Sequence, residues 1–127
     1  MAAPPRAIIV AKTAWNDTGI NLVAGARYRM SATGTWHDRQ YRAGPEGMPP
    51  QNFVQRLLAP LLRFGNGHYM TLIGCINQDI GSAIAIGESS LFKASQDGRL
   101  WCFANDLRIA YGNNSGAIEL VVERLYR

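Results

Sequence analysis

The sequence predicts an all-β fold, a two-sheet antiparallel β-sandwich of the jelly-roll type. Three observations predict it. Thirteen glycines and six prolines in 127 residues punctuate the chain with turns. The apolar runs between those turns are short, and one alternates polar with apolar at period two. No helical pattern is long enough to separate successive strands, which argues against parallel βαβ units. The length predicts a single domain over residues 1–127, and 47% hydrophobic against 17% charged residues suits a packed core rather than disorder.

Taken in order, residues 7–13 form the first expected strand. Residues 15–19, Trp-Asn-Asp-Thr-Gly, read as a turn, and residues 20–23 as a short strand. Residues 27–36 carry the period-two alternation, with Tyr28, Met30 and Ala32 on the inward side. From His37 to Gln51 the pattern breaks at Gly44-Pro45, Gly47 and Pro49-Pro50, so a long loop is expected there. Residues 52–59 predict a short helical turn. Asn52 is its cap, Pro60 its stop, and Phe53, Leu57, Leu58, Leu61 and Leu62 its core-covering face. Residues 69–76, 83–86, 88–94 and 100–104 read as strands, with an Asp97-Gly98 hairpin turn before the last of these. Residues 117–124 form the final strand.

The net charge of +4 and pI of about 9.4 are spread over scattered arginines with no basic run of five, so no nucleic-acid partner is expected. No apolar stretch approaches membrane-helix length, so no membrane insertion is expected. The start of the chain lacks the charged and apolar regions of a secretion leader. Cytoplasmic synthesis is therefore expected, with release to the cell surface or exterior by another route left open. Cys75 and Cys102 lie in apolar runs and are expected to be free buried thiols. They and the two histidines lack zinc-site spacing.

The chemistry concentrates in Asn105-Asp106-Leu107-Arg108-Ile109-Ala110-Tyr111-Gly112-Asn113-Asn114-Ser115-Gly116. One carboxylate and two adjacent side-chain amides surround a turn. These are hard oxygen donors of the kind calcium takes, six to eight at a time. Asp106, Asn113 and Asn114 alone do not fill such a shell. Backbone carbonyls and outside hydroxyls have to finish it, and an ion left partly open to vicinal hydroxyls is a sugar-binding device.

In Asn105-Asp106 followed by Tyr111-Gly112-Asn113-Asn114-Ser115-Gly116 and a strand, the chain resembles the soluble, calcium-dependent, galactose-binding bacterial lectins of the LecA type. Ala32-Thr33-Gly34, Gly44-Pro45-x-Gly47 and Ile73-Gly74 fall in matching order. The resemblance implies a galactose-binding-like sandwich with calcium as cofactor. It implies that Asp106, Asn113 and Asn114 bind the ion through side chains and Ala110 through its carbonyl. Asp38, a few residues after Gly34, stands where the family has another backbone-carbonyl ligand, and here also offers a carboxylate. Asp106, Asn113 and Leu107 would contact the sugar. Gln51 stands near a position where the family carries a histidine for the galactose 6-hydroxyl. Trp36 and Tyr41 flank the loop as aromatic floor candidates, and galactose is one candidate ligand.

The resemblance also implies glycan partners and a homo-oligomer, a dimer or tetramer, since weak sugar sites gain strength by multivalency. The terminal strand, residues 117–126, is the candidate contact. The rival reading is a non-catalytic structural or interaction module that kept the sandwich and lost the sugar. An enzyme is not expected: His37 and His68 with the scattered acids form no nucleophile motif, paired-carboxylate spacing or phosphate loop.

Overall fold

The structure is a computed structural model that describes residues 3–125. Among the described residues nine strands form two antiparallel sheets, as the turn-rich sequence predicts: β1 (Arg6–Val10), β2 (Asn16–Leu22), β3 (Arg27–Asp38), β4 (Tyr41–Ala43), β5 (Leu72–Ile76), β6 (Ile84–Ala85), β7 (Ser89–Lys93), β8 (Gly98–Ala104) and β9 (Asn114–Leu125). One sheet has the order β1-β9-β3-β4, with β7 also pairing β3, and the other has the order β2-β8-β5-β6. The helix α1 (Phe53–Leu58) lies between β4 and β5.

The frame of the site is the β3–β9 ribbon. Both strands run 12 residues and pair from Arg27 with Leu125 to Asp38 with Asn114. The alternation holds along β3 except at the exposed Gly34: Tyr28, Met30, Ala32, Trp36 and Asp38 are buried. The strand therefore runs two residues beyond its expected end, and the expected loop returns at once as β4. Ile118, Leu120 and Val122 of β9 meet these side chains, and Leu22, Leu72, Leu100 and Cys102 of the second sheet complete the cluster. Each such aliphatic side chain contributes about 1.5–3 kcal/mol on burial.

Gly116 fits the ribbon only as glycine. Its φ is +88°, and a Cβ there would stand 2.9 Å from the Trp36 Cα. Ser115 and Gly116 were expected in a turn but lie in β9, because the turn closes earlier, at residues Tyr111–Asn113. Likewise Asn16–Gly19, expected as a turn, belong to β2. The Asn16 side chain ties Val10 to this strand by accepting from its amide at 2.9 Å, and a register shift between Asp17 and Asn21 accommodates Gly19.

Cys102 packs in the main core. Cys75 packs on the outer face of its sheet with Ile73 and Phe103, covered by Trp15 and Phe64. Both thiols are free and buried, as expected. They point to opposite faces of the sheet, so no bridge can join them. Of the expected terminal contact strand, Tyr126 lies outside the described residues.

The helix carries one reversal. Asn52 caps it as expected, its Oδ1 accepting from the Gln55 amide at 2.8 Å, and Pro60 sits in the 3-10 turn Ala59–Leu61 that follows. The buried side chain of α1, however, is Gln55, while Phe53, Leu57 and Leu61 of the expected core face are exposed. Polar anchoring explains this. Gln55 donates to the Asp38 carboxylate at 2.9 Å, accepts from the Gln51 amide at 2.6 Å, and its carbonyl accepts from the Tyr69 hydroxyl at 2.7 Å. Only Leu62 of the expected face reaches full burial.

Candidate functional site

The ends of β3 and β9 and the loop after β8 meet beside α1. There they enclose a cavity of about 520 Å³. Asp38, Asp106 and Asn113 line it together with Arg39, Gln40, Asn52, Gln55 and Tyr69, and Tyr41, Leu107, Ala110, Phe53, Val54 and Leu58 complete its walls. Asn114 lies buried at the start of β9, opposite Asp38 in the register, with its amide donating to the Ala11 carbonyl at 3.2 Å.

The loop is held from below by Asn105, which is fully buried. Its side-chain amide donates to the carbonyls of Phe64 at 2.8 Å and His68 at 2.9 Å, and its carbonyl oxygen accepts from the Phe64 amide. Arg63 adds a second tie, donating to the Tyr111 hydroxyl at 2.6 Å with its guanidinium 3.7 Å above the Phe103 ring. The adjacent Asp106 is thereby fixed in place. Its Oδ1 accepts from the Leu107 amide at 2.7 Å.

Its Oδ2 accepts from nothing. Among the described residues four buried side-chain oxygens lack a hydrogen-bond partner: Ser90 Oγ, Asp106 Oδ2, Asn113 Oδ1 and Asn114 Oδ1. Three of the four belong to this one loop and the strand it feeds. Buried acceptors are nearly always paired, so three together mark a place where something else supplies the partner.

Electrostatics point the same way. Burial raises the Asp106 carboxyl to about 6 and the nearby Asp38 carboxylate adds to the rise, while the Leu107 amide and the Asn114 side-chain amide beside it oppose the rise. Burial also raises Asp38, against the pull of Arg39 and the hydrogen bond from Gln55. The Tyr69 hydroxyl is raised by burial and by both carboxylates. Two acids held close in a desolvated pocket favour a cation between them. The donors are all oxygen, which suits calcium rather than zinc or copper. Among the described residues no three His, Cys, Asp or Glu side chains gather into a metal cluster, so a cation held here would draw most of its ligands from amides and backbone carbonyls.

The structure thus brings Asp38, Asp106, Ala110, Asn113, Leu107 and Tyr41 to one cavity, while Asn114, next to Asn113 in the chain, is buried outside its lining. Two other expected residues stand elsewhere. Trp36 is fully buried in the core, its indole nitrogen donating to the Met70 carbonyl at 2.8 Å, so it offers no ring to a ligand. Gln51 lies outside the cavity lining and turns its amide to the Pro49 carbonyl, because its backbone is tied to Gln55. Its neighbour Asn52 takes the rim position instead, donating to the Tyr41 hydroxyl at 3.3 Å. Gln55 and Tyr69 were missed. The signal for Gln55 was a polar residue in the middle of an otherwise apolar helix.

No protein-family model matches the chain, and no curated protein matches it in sequence. Among solved structures it is similar to one described as the EclA N-terminal domain, a PllA-like lectin, with a TM-score of 0.72 and 19% identity over 94% of this chain and 95% of that one. The chain therefore has the β-sandwich fold of a lectin domain.

Proposed function

We propose that this protein is a calcium-dependent carbohydrate-binding protein, a lectin and not an enzyme. The observation that supports the reading is the set of unpartnered buried oxygens, Asp106 Oδ2, Asn113 Oδ1 and Asn114 Oδ1, in one loop. Each costs about 1–3 kcal/mol if left unpaired. A divalent cation held there would give all three a partner and would favour the charged forms of Asp38 and Asp106. Asp38, Asp106, Asn113, Asn114 and the Ala110 carbonyl would hold it, fewer donors than the six to eight calcium takes. When bound, calcium lends its remaining positions to two neighbouring sugar hydroxyls.

The chain's own residues then set selectivity. Asp106 and Asn113 hydrogen-bond the same hydroxyls, so a sugar with one hydroxyl inverted leaves a buried group unpaired, at about 1–3 kcal/mol. Leu107 and Tyr41 offer apolar surface to the C–H face of the ring. Gln55, itself lining the cavity, holds Asp38 in orientation. A galactose-type sugar is the first ligand to try, and a dimer or tetramer is the assembly that makes weak sites useful. The lectin fold agrees with this reading.

The test is calorimetric titration of calcium into chelator-stripped protein, then of a galactoside, with Asp106→Ala as control. Calcium heat lost in the variant, and galactoside heat only with calcium, is the expected result. Calcium heat without galactoside heat keeps the site and moves the search to a glycan array. Absence of calcium heat overturns the proposal in favour of the structural-module reading.

A further inference from the structure

Large apolar side chains of α1 and the turn after it stand in solvent: Phe53 is 71% exposed, Val54 60%, Leu57 65% and Leu61 68%. At about 100° per residue, positions 53, 54 and 57 fall within an arc of roughly 100°, turned away from Gln55. Ile109, 95% exposed, stands two residues past Leu107, which lines the same cavity as Phe53 and Val54. Phe53 and Val54 of this apolar face therefore also line the cavity.

The exposed charges around it have one sign. Arg39 lines the cavity, Arg56 flanks the apolar arc of α1, and Arg108, next to Ile109 in the chain, lines a second pocket with Ala14, Trp15, Arg63 and Tyr111; all three are exposed. The acids of this end, Asp38 and Asp106, are buried. Glu46, the one acid between residues 39 and 68, is turned to the Glu88 amide, which it accepts at 2.6 Å.

We propose that this surface docks on an anionic lipid bilayer, with the apolar side chains entering the boundary between headgroups and acyl chains and the arginines meeting lipid phosphates and carboxylates. Two features choose a bilayer over a protein. A second copy docked through the same face would set arginine against arginine. A convex helix face needs a matching groove in a protein partner, whereas a bilayer interface deforms around it. The contact is peripheral, since no helix among the described residues is long and apolar enough to cross a membrane. It revises the expectation that this helix merely covers core, and it depends on neither calcium nor sugar.

Vesicle flotation tests it, in chelator and without sugar, using equal parts phosphatidylcholine and phosphatidylserine against phosphatidylcholine alone. The variant Leu57→Gln with Leu61→Gln touches neither cavity lining nor core. The wild type should float with the mixed vesicles, and at least tenfold less with phosphatidylcholine alone. The double variant should float at least tenfold less with the mixed vesicles while keeping the wild-type melting temperature. Arg56→Glu should also weaken flotation. No flotation of the wild type, or equal flotation of the double variant, overturns the proposal. So does self-association in sedimentation equilibrium that the double variant abolishes while neither protein floats, which would assign the face to a second copy.

Discussion

The loop from Asp106 to Asn114 and the helix α1 break the inside-out rule in opposite directions. The loop buries polar atoms without partners, and the helix exposes large apolar side chains. Elsewhere β3 and β9 obey the rule, with Met30, Trp36, Ile118 and Leu120 sealed from water. Both departures border the same cavity. Folding alone selects neither, since each would be more stable if reversed, so their meeting at one end of the sandwich makes that end the candidate working surface.

The largest effect is expected from Asp106→Asn, which keeps the shape and removes the charge. Calcium affinity should fall at least a hundredfold by calorimetry, since a ligand and a formal charge are lost together. The same variant sharpens the comparison through pH. The Asp106 carboxyl is raised from the ordinary range near 4 to about 6, so the folded metal-free protein holds a proton that the unfolded chain has released between those values. Its contribution to stability is present below about pH 4, is lost as pH rises through about 6, and is flat above. The wild type minus variant difference in melting temperature, in chelator, should fall across that window. A difference that rises instead would place Asp106 in a solvated or cation-paired setting and remove the contrast.

Next comes Gln55→Leu. It removes the amide that holds Asp38 and the acceptor for the Gln51 amide. Urea unfolding should show a loss of about 1–2 kcal/mol. Calcium affinity should fall by about tenfold, in line with the loss of a group that orients a ligand. Unchanged affinity would separate the helix from the site.

The smallest effect is expected where the helix is most apolar. Leu57→Gln with Leu61→Gln should leave unfolding free energy within about 0.5 kcal/mol per site, since neither side chain is buried. Ile118→Ala in the core, measured alongside, should cost about 2–5 kcal/mol. Similar losses in both would mean that the helix face is covered in solution.

The two regions also differ in how far they could be read from sequence. The loop was legible because Asp106, Asn113 and Asn114 are hard donors crowded into a turn before an apolar run, and chemistry of that kind is local. The strand alternation was legible too, and the same parity that turned Tyr28, Met30 and Ala32 inward already placed Trp36 in the core and Asp38 toward the site. Carrying the parity from Ala32 to Trp36, within the expected strand, would have replaced the aromatic-floor expectation. The helix was not legible, because its orientation is decided by Gln55 bonding to Asp38, seventeen residues back. Apolar spacing within six residues carries no information about which face meets a distant carboxylate.

The placement of Cys75 and Cys102 on opposite faces of one sheet makes the sandwich indifferent to the redox state around it. Burial pushes the Cys75 thiol up to about 11 and raises Cys102 further, so neither presents a thiolate to an oxidant. Nothing in the described fold is tightened by oxidation or loosened by reduction. The same packed β-sandwich is available in a reducing interior and an oxidising exterior, without a cross-link to form on leaving one or to break on entering the other.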